Sequence, residues 1–352
     1  MTGSTRRTAR RWIAPLASLS LISAFAAACG GGEPVEANDS GVYEIPITVS
    51  HHPTLLYSVP YIVGMKQGFF ADEKIKITEI IGSEGGGTTV RNVVTGDLPI
   101  GEVATPAAAQ ALTQGSDLVA VGGGAQSVAE INYVAPKGSG PSSIEELTGK
   151  SVAFTSPGSV TQGVLALSLE NSGVDPKQVD DKPLGGVSEG LTALDSGEVD
   201  VAANIEPVFS SDPAPYDVVF WADEHVPSFQ QTVLIAGGDF VAEQPDVVKG
   251  FLSARAKAID WIKQNPDEAG AMWAKEADLE PQVAIAALKT VLKDDWYGVG
   301  FDTEGLQAVD RQMRLIDLVP AGQDIPWEDL IDPSMLPKGA PTVDPAQIGG
   351  EG

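Results

Sequence analysis

Lys150-Ser151-Val152-Ala153-Phe154-Thr155-Ser156-Pro157-Gly158-Ser159-Val160-Thr161, continuing through residues 162–170 to Asn171-Ser172-Gly173, reads as a strand, a small-residue loop and a helix. Val152, Ala153 and Phe154 form a short apolar run fit for a buried strand, and Pro157-Gly158 breaks it. Ser159 suits a helix N-cap. Val160, Val164 and Leu167, with Leu165 and Leu169 as a partial second row, recur at helical spacing. Gly173 suits the position just past a helix end. Such a turn leaves backbone N–H groups at the positive end of a helix dipole, which favours an acceptor or anion by about 0.3–1 kcal/mol. An ordinary strand-to-helix turn has the same pattern, so its function depends on the rest of the chain.

The first half of the chain carries the same order of parts. Residues 45–50 form a strand and His51-His52-Pro53 the loop after it. A helix over 56–67 stops at Gly68. A second strand covers 74–81, and Gly82-Ser83-Glu84-Gly85-Gly86-Gly87 opens a helix over 88–95. Asn171-Ser172-Gly173 answers Lys66-Gln67-Gly68, and Ser188-Glu189-Gly190 answers Ser83-Glu84-Gly85. Ser196-Gly197-Glu198-Val199-Asp200 answers Thr95-Gly96-Asp97-Leu98-Pro99, and Pro207 falls where Pro106 does. Four matches in one order indicate an internal repeat. Each copy predicts a βαβ lobe with right-handed crossovers and a ligand site outside the carboxyl ends of its strands. The strand at 231–236 comes too late for the second copy and is expected to return to the first lobe. The lobes are then joined by two crossings, near 135–138 and 225–231. Four helices follow, over 245–264, 266–275, 281–292 and 303–318, three of them with proline in the first turn. The Pro-, Asp- and Gly-rich end is expected to wrap on the surface and fray.

The 352 residues carry a formal charge of −26 at pH 7. The only charges in residues 1–28 are Arg6, Arg7, Arg10 and Arg11, and their removal takes the charge to −30. A body so acidic is a poor partner for nucleic acid or anionic lipid. The four arginines precede an apolar run over 12–28 that ends Ala26-Ala27-Ala28 before Cys29. This is the pattern of an export signal, and the run is short for a spanning helix. Cys29 is the only cysteine, so no intramolecular disulfide forms. Its place resembles a bacterial lipobox, with cleavage before Cys29 and lipid on its sulfur and amine. Export by the general or the twin-arginine route stays open. Residues 30–41 read as a flexible tether.

The order of parts resembles the substrate-binding lipoproteins of ABC importers, in the group that handles nitrate, sulfonates, taurine and thiamine pyrimidine precursors. The residues that carry the resemblance are the helix ending Gly68-Phe69-Phe70, the loop 82–87, the segment 95–105, Gly158-Ser159-Val160-Thr161 and Asn204-Ile205-Glu206-Pro207. The resemblance implies an α/β, two-lobed type II periplasmic-binding-protein fold, with two βαβ lobes around a cleft and two interlobe crossings. Residues 1–28 are then a lipoprotein signal peptide and 29–42 a lipid-anchored tether. Residues 43–135 plus 231–320 make lobe 1, 136–230 lobe 2, and 321–352 a C-terminal tail. It further implies a monomeric receptor on the extracytoplasmic face of the cell membrane, without cofactor, that closes on a small molecule and docks on an ABC permease.

Carried over residue by residue, the resemblance implies ligand contacts from His51, His52 and Tyr57, and from Gly85, Gly86, Gly87 and Thr88. It adds Ala104 and Thr105, then Ser156, Gly158, Ser159, Val160 and Thr161, and finally Asn204 and Glu206. Adjacent in a strand-like loop, His51 and His52 point to opposite sides, so at most one of them faces the cleft. Two neighbouring histidines and no spare cysteine make a poor zinc set. The carried-over loops contain no arginine, and Glu206 repels an anion. This leans toward a ligand with N–H donors and away from nitrate and simple sulfonates. Two other classes stay open: a periplasmic-binding-like enzyme of thiamine-pyrimidine or menaquinone-precursor biosynthesis, and a sensor subunit that presents ligand to a membrane kinase. Against the enzyme stands the export signal.

Overall fold

A computed structural model describes residues 35–349 apart from 97 and 321. The leader and Cys29 lie outside the described residues.

The first pass of the chain is β1 (Tyr43–Ser50), a 3-10 turn at Leu56–Ser58, α1 (Val59–Gln67), α2 (Phe69–Asp72), β2 (Ile75–Ser83), α3 (Gly86–Val94), β3 (Ile100–Ala104), α4 (Thr105–Thr113) and β4 (Val119–Gly123). The second is β5 (Ile131–Pro136), β6 (Ser151–Phe154), α5 (Val160–Asn171), β7 (Asp180–Pro183), α6 (Val187–Ser196), β8 (Val201–Ile205), α7 (Val208–Ser211) and β9 (Tyr216–Trp221). Then come β10 (Thr232–Ala236), α8 (Gly238–Glu243), α9 (Pro245–Gln264), α10 (Pro266–Ala277), α11 (Pro281–Val291), α12 (Thr303–Leu315) and α13 (Trp327–Leu330). Gly68 at φ 81° and Gly173 at φ 76° supply the left-handed turn after α1 and α5, where a side chain would be strained.

The strands form two five-stranded sheets, ordered β2-β1-β3-β10-β4 and β7-β6-β8-β5-β9. The repeat is visible in that order. β2-β1-β3 and β7-β6-β8 are the parallel βαβ triplets, and an antiparallel strand, β10 or β5, lies beside each. As expected, β10 returns to the first sheet. The first crossing is not where it was expected. Ile131–Pro136 pairs with β8 and β9 in the second sheet, so the chain crosses over residues 124–130, before β5. The run Ile131-Asn132-Tyr133-Val134-Ala135 carries no mark of which sheet it joins, and only the pairing decides it. The second crossing, over 225–231, precedes β10.

Both crossings are fastened to the core of the first sheet. The fully buried Glu102 accepts from Tyr61 Oη at 2.5 Å and from Thr232 Oγ1 at 2.7 Å, and pairs with Arg255 Nη2 at 3.4 Å. Thr232 Oγ1 in turn accepts from the N–H of Ala125 at 2.7 Å. One carboxylate therefore holds the end of the second crossing and, through Thr232, the start of the first.

Two expectations about the chain ends are corrected. Residues 35–42 form a fastened turn: Ala37 bridges Tyr43, and Asn38 Oδ1 accepts from the N–H groups of Ser40 and Val42 at 3.0 and 3.1 Å. The end of the chain is packed. Trp327, Leu330, Ile331, Val343 and Ile348 are buried with the core, and Ile331 bridges Ala120 of β4.

Candidate functional site

The loops after β1 and β2 meet at the carboxyl end of the first sheet. His51 sits in left-handed backbone at φ 58° with its side chain exposed, and its N–H donates to Ser83 O at 2.8 Å. His52 is half-buried and turned into its own lobe, its Nδ1 2.9 Å from the buried Ser58 Oγ. Burial lowers its pKa. Of the two histidines, His51 is the one left exposed. Gly82 packs on the carbonyl of His52 and Gly86 on Ala107, so closely that a β-carbon at either would collide. Gly85 and Gly87 face open space and Thr88 is exposed. Beneath them Thr89 Oγ1 lies 2.8 Å from Ser50 Oγ and 2.5 Å from Ser83 Oγ, a buried hydroxyl cluster that fixes the loop.

The loop that opens α5 is satisfied from within. Gly158, at φ 79°, donates its N–H to Gln162 Oε1 at 2.8 Å, and Ser159 Oγ accepts from Gln162 N at 3.3 Å as the predicted cap. Thr161 is buried; its Oγ1 accepts from Thr155 N at 3.1 Å and lies 2.9 Å from Ser159 Oγ. Ser156 is exposed, Val160 is half-buried, and Gly158 lies against Leu318. The expected outward anion site is thus partly closed by Gln162. Thr105, expected at the ligand, is fully buried after the half-buried Ala104. Its hydroxyl donates to Gln230 O at 2.6 Å, so it holds the second crossing.

A different set converges at the carboxyl end of β8. In the second sheet Asn132 of β5 stands opposite Asn204 of β8 on one side and Trp221 of β9 on the other. One step nearer the crossings, Glu206 donates its N–H to Glu130 O at 2.9 Å. After β9 the chain enters a 3-10 turn, Ala222–Glu224, and Asp223 there lies near enough to Glu130 to interact with its charge. Residues two apart in a strand share a face. The end of the sheet therefore carries an amide row, Asn204 and Asn132, and an acidic row, Glu206, Glu130 and Asp223.

Residues of the first lobe and the second crossing cover these rows. Trp296 Nε1 donates to Glu130 Oε2 at 2.7 Å, and Gln231 Nε2 donates to Glu130 Oε1. Tyr57 stacks on Trp296 with ring centroids 5.5 Å apart and planes 9° from parallel. Thr290 of α11 reaches Glu206, whose carboxylate also accepts from Ser210 N at 3.0 Å and Ser210 Oγ at 2.9 Å. Glu130, Asn132, Asn204, Glu206 and Gln231 are all at most 2 % exposed. Burial pushes the Glu130 carboxyl up to about 7 against its hydrogen bonds, and raises Glu206 in the same way.

Several of these buried groups have no hydrogen-bond partner among the described residues: Nδ2 and Oδ1 of Asn132, Nδ2 of Asn204 and Oε1 of Gln231. Such groups are costly, at about 1–3 kcal/mol each, and mark places completed by something else. Sequence reasoning brought Tyr57, Asn204 and Glu206 to this place. It missed Glu130, Asn132, Gln231 and Trp296. The available signal was Glu130-Ile131-Asn132-Tyr133, polar residues alternating with apolar ones.

With this geometry in view, the model of the family described as NMT1/THI5 like matches residues 56–269. The chain belongs to that family. A formylaminopyrimidine-binding protein of Halalkalibacterium halodurans is 24 % identical over 267 residues, 72 % of this chain and 76 % of that one. The periplasmic aliphatic sulphonate binding protein SsuA from Escherichia coli superposes with a TM-score of 0.65 at 17 % identity, covering 78 % of this chain and 86 % of that one. A ligand binding component of an ABC-type import system from Staphylococcus aureus superposes with a TM-score of 0.68 at 15 % identity, covering 84 % and 98 %. The fold is that of the periplasmic binding proteins, with one five-stranded sheet in each half.

Proposed function

We propose that this member of the NMT1/THI5-like family is the solute-binding receptor of an ABC importer, held outside the cytoplasmic membrane by lipid on Cys29 and acting as a monomer. The observation that carries the reading is the buried polar site between the two sheets. Glu130 and Glu206 come from its one side, Trp296, Tyr57 and Thr290 from the other, and the amides of Asn132, Asn204 and Gln231 lack partners inside it. A hinge that closes two sheets on a solute completes those hydrogen bonds. The curated relative and the solved structures, a formylaminopyrimidine-binding protein and import-system components among them, support the same role. In this reading, lobe 1 is built on the first sheet and lobe 2 on the second. More than one acyl chain retains the protein at the membrane, since one alone gives only marginal binding.

The enzyme reading is weaker at its most specific point. Among the described residues two serine–histidine pairs occur, and neither has the geometry of a nucleophile and its base. Ser58, beside His52, is fully buried. Ser172 Oγ donates to Ser168 O at 2.8 Å, so toward His225 Nδ1, 2.9 Å away, it accepts.

The test is a thermal-shift screen of the protein with taurine, nitrate, alkanesulfonates, aminopyrimidines, amino acids and amines. A solute at about 100 times its dissociation constant stabilises by roughly 2.7 kcal/mol. Stabilisation without turnover confirms a receptor, and turnover of the bound solute refutes it. The anchor is tested apart from the ligand. Cys29→Ser is expected in the soluble fraction, and a variant that still sediments with membranes removes the lipid from the proposal.

A further inference from the structure

We infer that the solute this receptor takes is a cation, a planar or compact molecule bearing a protonated nitrogen, bound against the acidic row Glu206–Glu130–Asp223 with the Tyr57–Trp296 stack as its wall. The inference rests on the receptor reading and names the charge of its ligand.

Glu206 just after β8 and Glu130 just before β5 are joined through the backbone, and Asp223, in the 3-10 turn after β9, lies close enough to Glu130 for their charges to interact. A fourth carboxylate, Asp294, comes from the segment after α11 and lies against Asp223. None of the four takes part in an ion pair among the described residues, where ten other such pairs occur. The partners of Glu130 and Glu206 are neutral donors: the amide of Gln231, the indole of Trp296, and the hydroxyls of Ser210 and Thr290. Arg255, the buried cation nearest in the first lobe, is spent on Glu102 and on the carbonyls of Gly123 and Gly298.

Carboxylates buried without a counter-charge are strongly disfavoured. Acid pairs facing each other across a closing gap add repulsion to that cost. The independent sign of a ligand is the amide row beside the acids. Asn132 is fully buried with neither amide atom bonded, and Gln231, whose Nε2 is already on Glu130, leaves its Oε1 free beside it. Gln231 Oε1 and the buried, unpartnered Asp223 Oδ1 are acceptors. A molecule with several N–H donors and a positive charge satisfies them and neutralises the row at once. An anion satisfies neither these acceptors nor the charge of the row, and a neutral molecule only the acceptors; the unpartnered donors Asn132 Nδ2 and Asn204 Nδ2 call for an acceptor atom on the same molecule. The exposed Asp294 and half-buried Asp223 lead inward to the buried Glu130, a graded path for a cation entering before closure.

The test uses three probes of one shape: benzamidinium, benzamide and benzoate, charged +1, 0 and −1. Each is titrated into the full chain by thermal shift and by tryptophan fluorescence, of which Trp296 is one of six sources and its Trp296→Phe variant the control. Benzamidinium is expected to bind at least ten-fold more tightly than benzamide, and benzoate not at all. Glu130→Gln is expected to abolish that preference while raising the melting temperature of the empty protein, a pair of effects that misfolding cannot produce. Asp223→Asn is expected to weaken benzamidinium. Equal or tighter binding of benzamide or benzoate overturns the charge assignment and leaves the receptor standing, as does undiminished benzamidinium binding by Glu130→Gln. If none of the three binds, the charge assignment falls. If taurine, nitrate and aminopyrimidine are silent too, the receptor reading falls with it.

Discussion

Trp296 and Glu130 meet between the two sheets, the indole N–H donating to Oε2 at 2.7 Å from a segment that otherwise belongs to the first lobe. Glu130 lies in the first crossing and is bonded to the second through Gln231. One buried carboxyl is thus bonded both to a segment of the first lobe and to the second crossing.

That carboxyl makes stability depend on pH in an unusual direction. Burial raises Glu130 from an ordinary 4.5 to about 7, so the folded protein holds its proton more tightly than the unfolded chain. The contribution is present in full below about 4.5 and is lost as pH rises through 7, by roughly 3 kcal/mol at most. Asp200, held low by Ser151 and Lys150, and Glu73, held low by Lys257, act oppositely and lose stability in acid. The expected outcome is that wild type loses stability relative to Glu130→Gln between pH 5.5 and 8. Parallel melting profiles for the two proteins would show that Glu130 does not bind this proton.

Glu102 and Arg255 are expected to behave as a unit. Removing one partner leaves the other buried and uncompensated, at a cost of about 3–5 kcal/mol. Glu102→Ala also strips Tyr61 and Thr232 of their acceptor, and so loosens the crossings. The double variant Glu102→Leu with Arg255→Met is expected to cost less than the sum of the single changes by at least about 1 kcal/mol. Urea denaturation of the four proteins measures this coupling. Additive losses would mean that the pair carries no joint energy.

Much of this fold could be read in the chain because its signals are local. Gly68 and Gly173 stop helices, Ser159 caps one, and Pro245, Pro266 and Pro281 begin others. The repeat then supplied the two βαβ triplets. The site was less legible because its residues meet only through pairing. Asn132 and Asn204 are 72 positions apart and touch by register. Trp296 follows a helix whose sequence says nothing of what it covers. Thr105 and Thr161 have the composition of ligand contacts, and what spends their hydroxyls is the carbonyl of Gln230 in one case and the N–H of Thr155 in the other. The helix α5 is buried almost all round, from Thr161 to Ser168, because it packs on α12 as well as on the sheet.

The contact of α5 with α12 offers a third prediction. A β-carbon at Gly163 would collide with the side chain of Gln312, which is itself buried with both amide atoms unpartnered. Gly163→Val is expected to destabilise by about 1–3 kcal/mol through overpacking. Combined with Gln312→Ala, which removes the obstructing atoms, most of that loss is expected to be recovered. Thermal melts of the four proteins decide it, and a pair of independent losses would place the strain elsewhere.

The end of the chain gives the fourth. Trp327 is buried, and its indole N–H donates to Asp310 Oδ1 at 2.9 Å, where Asp310 already holds Arg314 at 2.7 Å. Beyond it, Asp332 N donates to Ala120 O at 3.0 Å and Phe301 N to Pro341 O at 3.0 Å. β4 is the outer strand of its sheet, and the Ile331 bridge covers the edge it would otherwise present to another chain. Trp327→Ala is expected to cost about 3–5 kcal/mol, the usual range for a buried tryptophan. Truncation after residue 326 is expected to cost more and to add self-association, since it bares the β4 edge as well as the core. Light scattering separates the two effects. A truncated chain that melts like wild type and stays monodisperse would mean that the tail rests on the fold without supporting it.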